Sequence, residues 1–278
     1  MNSDCAESEA SLPAPAPKGS AKARAMNAAA ARHAAPFLAW IGIMLVAQMM
    51  HLTPSSATEE TEALGIVSDG ALYAIRTVAV ALLLVLLRPW RHSAGLFRRS
   101  HVLPALGVGV AVFAVWVVPQ ADWFRSAFPG LSGLYARWCV GWDFGEAPDF
   151  ASLAEKARTI YHPHNTGWPL FALHMLGTSL VISCAEEFFW RAYLMRAART
   201  PDFLDIPPHA FHALSFFAVA LAFAAEHHEL LAGFAAGLAY GALYLKTKGD
   251  VWAATIAHAA TNALLGAYVL ATGHWEFW

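Results

Sequence analysis

Charge is scarce in this chain. Asp, Glu, Lys and Arg make up 14% of its 278 residues, against about 25% in an ordinary soluble domain. Mean hydropathy is +0.44 and 58% of residues are hydrophobic. So little charge cannot coat a water-exposed surface, which excludes the soluble globular class and leaves a multi-span membrane protein. Net charge is −2 and no basic stripe runs along any segment, so nothing points to nucleic acid. The three cysteines, Cys5, Cys139 and Cys184, form no Cys-x-x-Cys pair and no disulfide framework, and they leave the redox compartment open. No His-Glu-x-x-His helix is present, nor an internal repeat of the kind transporters show. No cleavable signal peptide is evident, because the first apolar run starts near Pro36, behind an Ala/Pro/Ser-rich stretch.

Long apolar runs are plentiful. They predict an all-α fold, a polytopic membrane helix bundle of about seven transmembrane helices, each near the roughly 20 residues a bilayer requires. The expected spans are Pro36–Leu52, Leu72–Leu87, Val102–Val118, Trp168–Ala198, His209–His227, Leu230–Leu245 and Val251–Ala271. The chain divides accordingly. Residues 1–33 form a disordered or loosely helical tail, 34–118 the N-terminal transmembrane helices, 119–167 an extramembrane or interfacial connection, 168–271 a core rich in buried polar residues, and 272–278 a short tail. Within the connection, Trp123, Trp138 and Trp142 suit a membrane interface, and Asp149 is placed to cap a short amphipathic helix through Ile160. Basic residues alternate with the spans: Lys18, Lys22, Arg24 and Arg32, then Arg88, Arg91, Arg98 and Arg99, then Arg191, Arg196 and Arg199, then Lys246 and Lys248. The positive-inside rule then puts the N-terminus in the cytoplasm of a cell whose inner membrane holds the protein. Gly233, Gly237 and Gly241 recur every four residues, a small-residue face for close helix packing.

Thr159 to Ala185 carries no Asp, Glu, Lys or Arg, and is followed by Glu186-Glu187-Phe188-Phe189-Trp190-Arg191. Ionisable groups at bilayer depth are expensive and face an internal cavity, where they serve function. Glu187 and Arg191 share a face at i,i+4 and are expected to pair; successive helical residues point about 100° apart, which turns Glu186 to a different face. The plainer alternative is an interfacial Glu-Arg pair at a helix end. Further on, Phe223 and His227 share a face in Phe-Ala-Ala-Glu-His-His-Glu, where the residues alone do not choose between His227 and His228. His258 and Asn262 sit at i,i+4 in the last span, either aimed at one spot or holding helices together by hydrogen bonds.

Taken in order, Glu-Glu-x-x-x-Arg, Phe-x-x-x-His and His-x-x-x-Asn on three spans resemble the CPBP family of intramembrane proteases, which includes the CAAX prenyl endopeptidases. The resemblance covers roughly 168–270. It departs from the pattern at Ala192, where many members have Gly after the motif arginine. The wording around the motifs is similar to members associated with bacterial exosortase systems. The resemblance implies peptide-bond hydrolysis in a membrane protein or lipidated peptide within the bilayer. Glu186 is then the general base, His227 positions or shares the water, and His258 and Asn262 are oxyanion donors, typically contributing about 3–4 kcal/mol each. Glu187 and Arg191 orient Glu186. A metal is one version of this chemistry, with zinc held by Glu186, His227 and His258; a metal-free glutamate protease is the other. Two rivals stand beside it: a non-catalytic transporter or scaffold binding hydrophobic or lipidated peptides, and a membrane cysteine peptidase using Cys184. The expected geometry holds a tension. A fifth helix starting at His209 carries His227 about 27 Å across the membrane, away from Glu186. For the two to meet, that helix must begin later or the fourth span must sit deeper.

Overall fold

A computed structural model describes residues 18–51, 59–92 and 97–278. These residues form an all-α bundle, with one isolated bridge between Val140 and Glu229 as the only extended pairing among them. The helices that matter are α1 (Lys18–His51), α2 (Glu59–Leu87), α3 (Val102–Val117), α4 (Asp122–Ala127), α5 (Pro129–Cys139) and α6 (Phe150–Tyr161). After them come a continuous α7 (Trp168–Ala197), α8 (Ala213–Ala224), α9 (Leu230–Lys246) and α10 (Val251–Thr272). Among the described residues five segments are long and apolar enough to cross a membrane: Ala21–Val46, Gly70–His92, Arg99–Gln120, Trp168–Ala197 and Val251–Thr272. The other two apolar helices, α8 and α9, are shorter. At 1.5 Å per residue α8 is about 18 Å long, well short of a ~30 Å hydrocarbon core.

Local chemistry explains where α8 begins and ends. Pro207 and Pro208 keep the preceding chain out of a helix, and the His212 side chain accepts from Ser215 N as its cap. The start is therefore Ala213, not His209, and α8 stops at Ala224, before the turn that carries Glu226–Glu229. This late start removes the geometric tension: the turn with His227 reaches the level of Glu186.

α1 begins earlier than hydropathy placed it. Residues 18–33, expected in the tail, are helical, because an alanine-rich run has high helix propensity and Met26, Ala29 and His33 are buried on one face, with Met26 and Ala29 packed with Phe203. Residues 1–17 of the expected tail, and Cys5 among them, lie outside the described residues. The short amphipathic helix in the connection is α6, with Asp149 Oδ1 accepting from Ser152 N at 3.1 Å.

The glycine face of α9 packs on α8. A Cβ on Gly237 would lie 2.9 Å from Ala220 Cα, one on Gly233 3.1 Å from Ala224 Cα and 3.3 Å from His227 Cβ, and one on Gly241 2.9 Å from Phe216 Cε2. These glycines therefore set the separation at which His227 is held. At one end of the bundle Asp250 caps α10 through Trp252 N and also accepts from His101 Nδ1 at 2.8 Å and Arg98 N at 3.2 Å. At the other end Glu229 accepts from Tyr135 Oη at 2.9 Å and from Gln120 Nε2, tying the α8–α9 turn to the connection.

Candidate active site

α7 is not a regular helix. Gly177–Ile182 and Phe188–Leu194 are π-helical, and the short α-helical piece Ser183–Glu187 lies between them. Such widened turns are rare and collect at functional sites. Here both members of the acidic pair are turned inward: Glu187 is 0% exposed and Glu186 7%.

Glu187 is held by two partners on one oxygen. Its Oε1 accepts from Arg191 Nη1 at 2.8 Å and from His258 Nδ1 at 3.0 Å. The Arg191 guanidinium lies 4.5 Å from the Phe223 ring centroid, so the phenylalanine of the second motif backs the ion pair of the first. Because a carboxylate only accepts, His258 donates from Nδ1, and Nε2 of the neutral ring carries the lone pair. Tyr240 stacks on that imidazole at 5.0 Å and donates to Thr261 Oγ1 at 2.7 Å, which fixes the ring plane. Of the two residues that the sequence assigned to orienting Glu186, Glu187 thus bonds His258 and Arg191 lies over Phe223.

His227 follows the same rule. Its Nδ1 donates to Phe223 O at 2.7 Å, leaving Nε2 as lone pair. Trp116 packs edge-on against this ring at 5.4 Å, and Phe223 lies tilted against it at 4.6 Å. His227 is half-buried, while its neighbour His228 is exposed and gives its carbonyl to Gly141 N. Asn262 donates Nδ2 to Thr178 O at 3.0 Å and to Ser183 Oγ at 3.2 Å. In this arrangement it ties α10 to the first π turn of α7, so donation to an oxyanion requires one of those bonds to be released.

A cavity of about 210 Å³ joins these groups. Glu186, His227, His258 and Asn262 all line it, together with Phe223 and Tyr240. Glu187 and Arg191 stand behind it. Glu186 Oε2 is buried and has no hydrogen-bond partner. Cys184 is half-buried and does not line the cavity, which leaves the cysteine peptidase alternative without a nucleophile at the site.

One residue of the site did not stand out in the sequence. Glu226 is exposed and accepts from Trp190 Nε1 at 3.0 Å. Ligand atoms of Glu186, Glu226 and His227 all lie within 4.8 Å of one another. The metal-ligand set expected from sequence was Glu186, His227 and His258; the ligand atoms that converge among the described residues are those of Glu186, Glu226 and His227. The available signal was an acidic residue directly before the motif histidine, indistinguishable in sequence from Glu229 two residues after it.

The fold and cavity together define a polytopic membrane bundle with a polar site enclosed by its helices. Residues 168–264 match the family described as type II CAAX prenyl endopeptidase Rce1-like. That stretch contains every motif residue named above. No curated protein and no solved structure matches the chain.

Proposed function

We propose that this protein is an intramembrane endopeptidase that hydrolyses a peptide bond of a membrane-associated or C-terminally processed protein, with Glu186 activating the attacking water. The observation that carries the reading is the unpartnered, buried Oε2 of Glu186 on a cavity that His227 and His258 share. A water there has a carboxylate to take its proton and imidazole nitrogens within the same cavity to orient it. Glu187, itself held by Arg191, fixes the His258 ring through Nδ1 and leaves its Nε2 lone pair to accept from that water. The surrounding helices exclude bulk water, which strengthens each of these interactions.

The donor set also fits a divalent metal such as zinc: one imidazole nitrogen and two carboxylates converge, and Glu186 brings an oxygen with no other partner. Glu186, Glu226 and His227 would hold such an ion, and it would supply Lewis-acid polarisation of the water. Residence in an inner membrane with the N-terminus cytoplasmic is supported by the arginines and lysines at the ends of α2, α7 and α9 and the start of α3. The motif wording supports a bacterial, exosortase-associated member.

The test compares membrane-protein termini in cells carrying the parent protein or Glu186→Gln, with expression and melting of the variant matched first. The parent generates at least one terminus that the variant lacks. Identical termini in the two strains would overturn the reading. Cys184→Ala is expected to behave as the parent.

A further inference from the structure

The cavity has a second end that the chemistry above does not use. Beyond Thr178 and Asn262 it is lined by His174, Leu265, Gly266, Phe277 and Trp278. The chain enters this end from outside the bundle. It turns at Gly273, which caps α10 with φ +78°, is anchored by Trp275 at 3% exposure, and lays Phe277 and Trp278 against the cavity.

The seat of Trp278 is shaped for a ring. A Cβ on Gly266 would run into Met175 Sδ and come within 2.7 Å of Trp278 Cη2, so the glycine leaves space for both side chains. Phe171 stacks on the indole at 5.4 Å and 27°. The indole N–H donates to the His174 ring. His174 is itself 5% exposed and held rigidly, with Tyr161 stacked on it at 3.9 Å and Tyr73 edge-on at 4.3 Å. The site therefore offers an apolar slot with a single fixed acceptor at its end. That is the complement of an aromatic side chain, whose body is apolar and whose N–H or O–H seeks one partner.

We infer that the slot formed by Phe171, His174 and Gly266 is a subsite for a bulky aromatic or apolar side chain of a polypeptide, and that Trp278 of this chain occupies it in place of that ligand. The inference rests on the protease reading for its location beside Glu186, but binding at the slot does not depend on cleavage. The cavity that remains with Trp278 seated is about 210 Å³, below the roughly 300–1,000 Å³ of pockets that take a whole small ligand. A polypeptide reaching Glu186 from this side must displace the ring. Displacement exchanges one buried aromatic for another and leaves no apolar surface newly exposed in the slot, so its free-energy cost is low. Trp278 is thus a built-in competitor, and ligands with an aromatic residue displace it best.

The experiment uses the full chain in detergent micelles and a fluorescently labelled pentapeptide, His-Trp-Glu-Phe-Trp, copied from residues 274–278. Binding is read by anisotropy. A peptide with alanine at the three aromatic positions controls for partition into micelles. Trp278→Ala is expected to bind the aromatic peptide at least tenfold more tightly than the parent. Adding Gly266→Ala to Trp278→Ala, which narrows the slot, is expected to cancel the gain. Equal binding by parent and Trp278→Ala, or a gain that survives Gly266→Ala, would overturn the inference. If Trp278→Ala fails to give a monodisperse, cooperatively melting protein, Trp278→Leu provides the same comparison with an apolar side chain retained. A protein that shows the tenfold gain yet cleaves nothing refutes the protease reading and leaves the subsite standing.

Discussion

Removing Arg191 while leaving Glu187 in place should be among the most damaging single changes in the bundle. Arg191 is 1% exposed and Glu187 0%, and the two meet at 2.8 Å. In Arg191→Met the Glu187 carboxylate keeps only His258 on Oε1, and Oε2 already lacks a partner. Breaking a buried pair from one side costs about 3–5 kcal/mol. Loss of the guanidinium over Phe223 adds about 0.5–2 kcal/mol; the contact to Gly237 O at 3.4 Å is too long to add much. Replacing both partners, Glu187→Leu with Arg191→Met, removes the stranded charge. What then remains is the lost acceptor for His258 Nδ1, about 1–3 kcal/mol for a buried donor left unmade. The two substitutions should therefore couple by at least ~2 kcal/mol, with the double variant more stable than Arg191→Met alone. The assay is equilibrium unfolding by sodium dodecyl sulfate titration in mixed micelles, followed by circular dichroism. An Arg191→Met cost below about 1 kcal/mol, or additive single costs, would refute the buried-pair argument.

Further outcomes follow from packing, titration and metal chemistry. Gly237→Ala should destabilise by about 1–3 kcal/mol, because its Cβ meets the Ala220 backbone at 2.9 Å. Gly107→Ala, on an exposed face of α3 with nothing within 4 Å, should be neutral or slightly stabilising in the same titration; equal costs at both sites would contradict the packing. Burial pushes the Glu229 carboxyl up to about 7, with the Tyr135 and Gln120 hydrogen bonds opposing the rise. Its folded value is above the ordinary 4.5, so its contribution to stability is fully present below that value and is lost as pH rises through about 7, on the order of 3 kcal/mol in all. The parent should lose stability between about pH 5 and pH 8 relative to Glu229→Gln; parallel profiles would remove the linkage. Zinc added to metal-stripped protein should bind at one ion per chain, and Glu226→Gln should weaken it at least tenfold. Unchanged affinity in that variant would exclude Glu226 as a ligand.

Much of the site was legible along the chain because its residues repeat at helical spacing inside apolar runs. Glu187 with Arg191, Phe223 with His227, and His258 with Asn262 are each i,i+4 pairs, and a charge-free run leading into Glu186 has no other economical explanation in a bilayer. The role of the glycine face on α9 was equally readable, since close helix approach follows from missing side chains alone. Three things were not. The bonding of His258 Nδ1 to Glu187, which sets which imidazole nitrogen is free, depends on how α10 rotates against α7. Glu226 and Glu229 are both acids flanking a motif histidine, and only the turn at Ala225 sends one to Glu186 and the other to Gln120 and Tyr135. Trp278 gave no signal at all, because its contact with His174 joins positions 104 residues apart that share no period.

Composition and spacing by themselves determined that this is an α-helical membrane bundle with acid, imidazole and amide groups on three successive apolar segments, because burying those groups in a bilayer is too costly to be incidental. The tertiary structure alone decided which acid faces the cavity, which helices are too short to cross, and what closes the cavity's far end. The first and last of these rest on how α7 turns against α10 and on what packs at Gly266, which are contacts between separate segments; the short α8 rests on a local cap at His212 that hydropathy does not register.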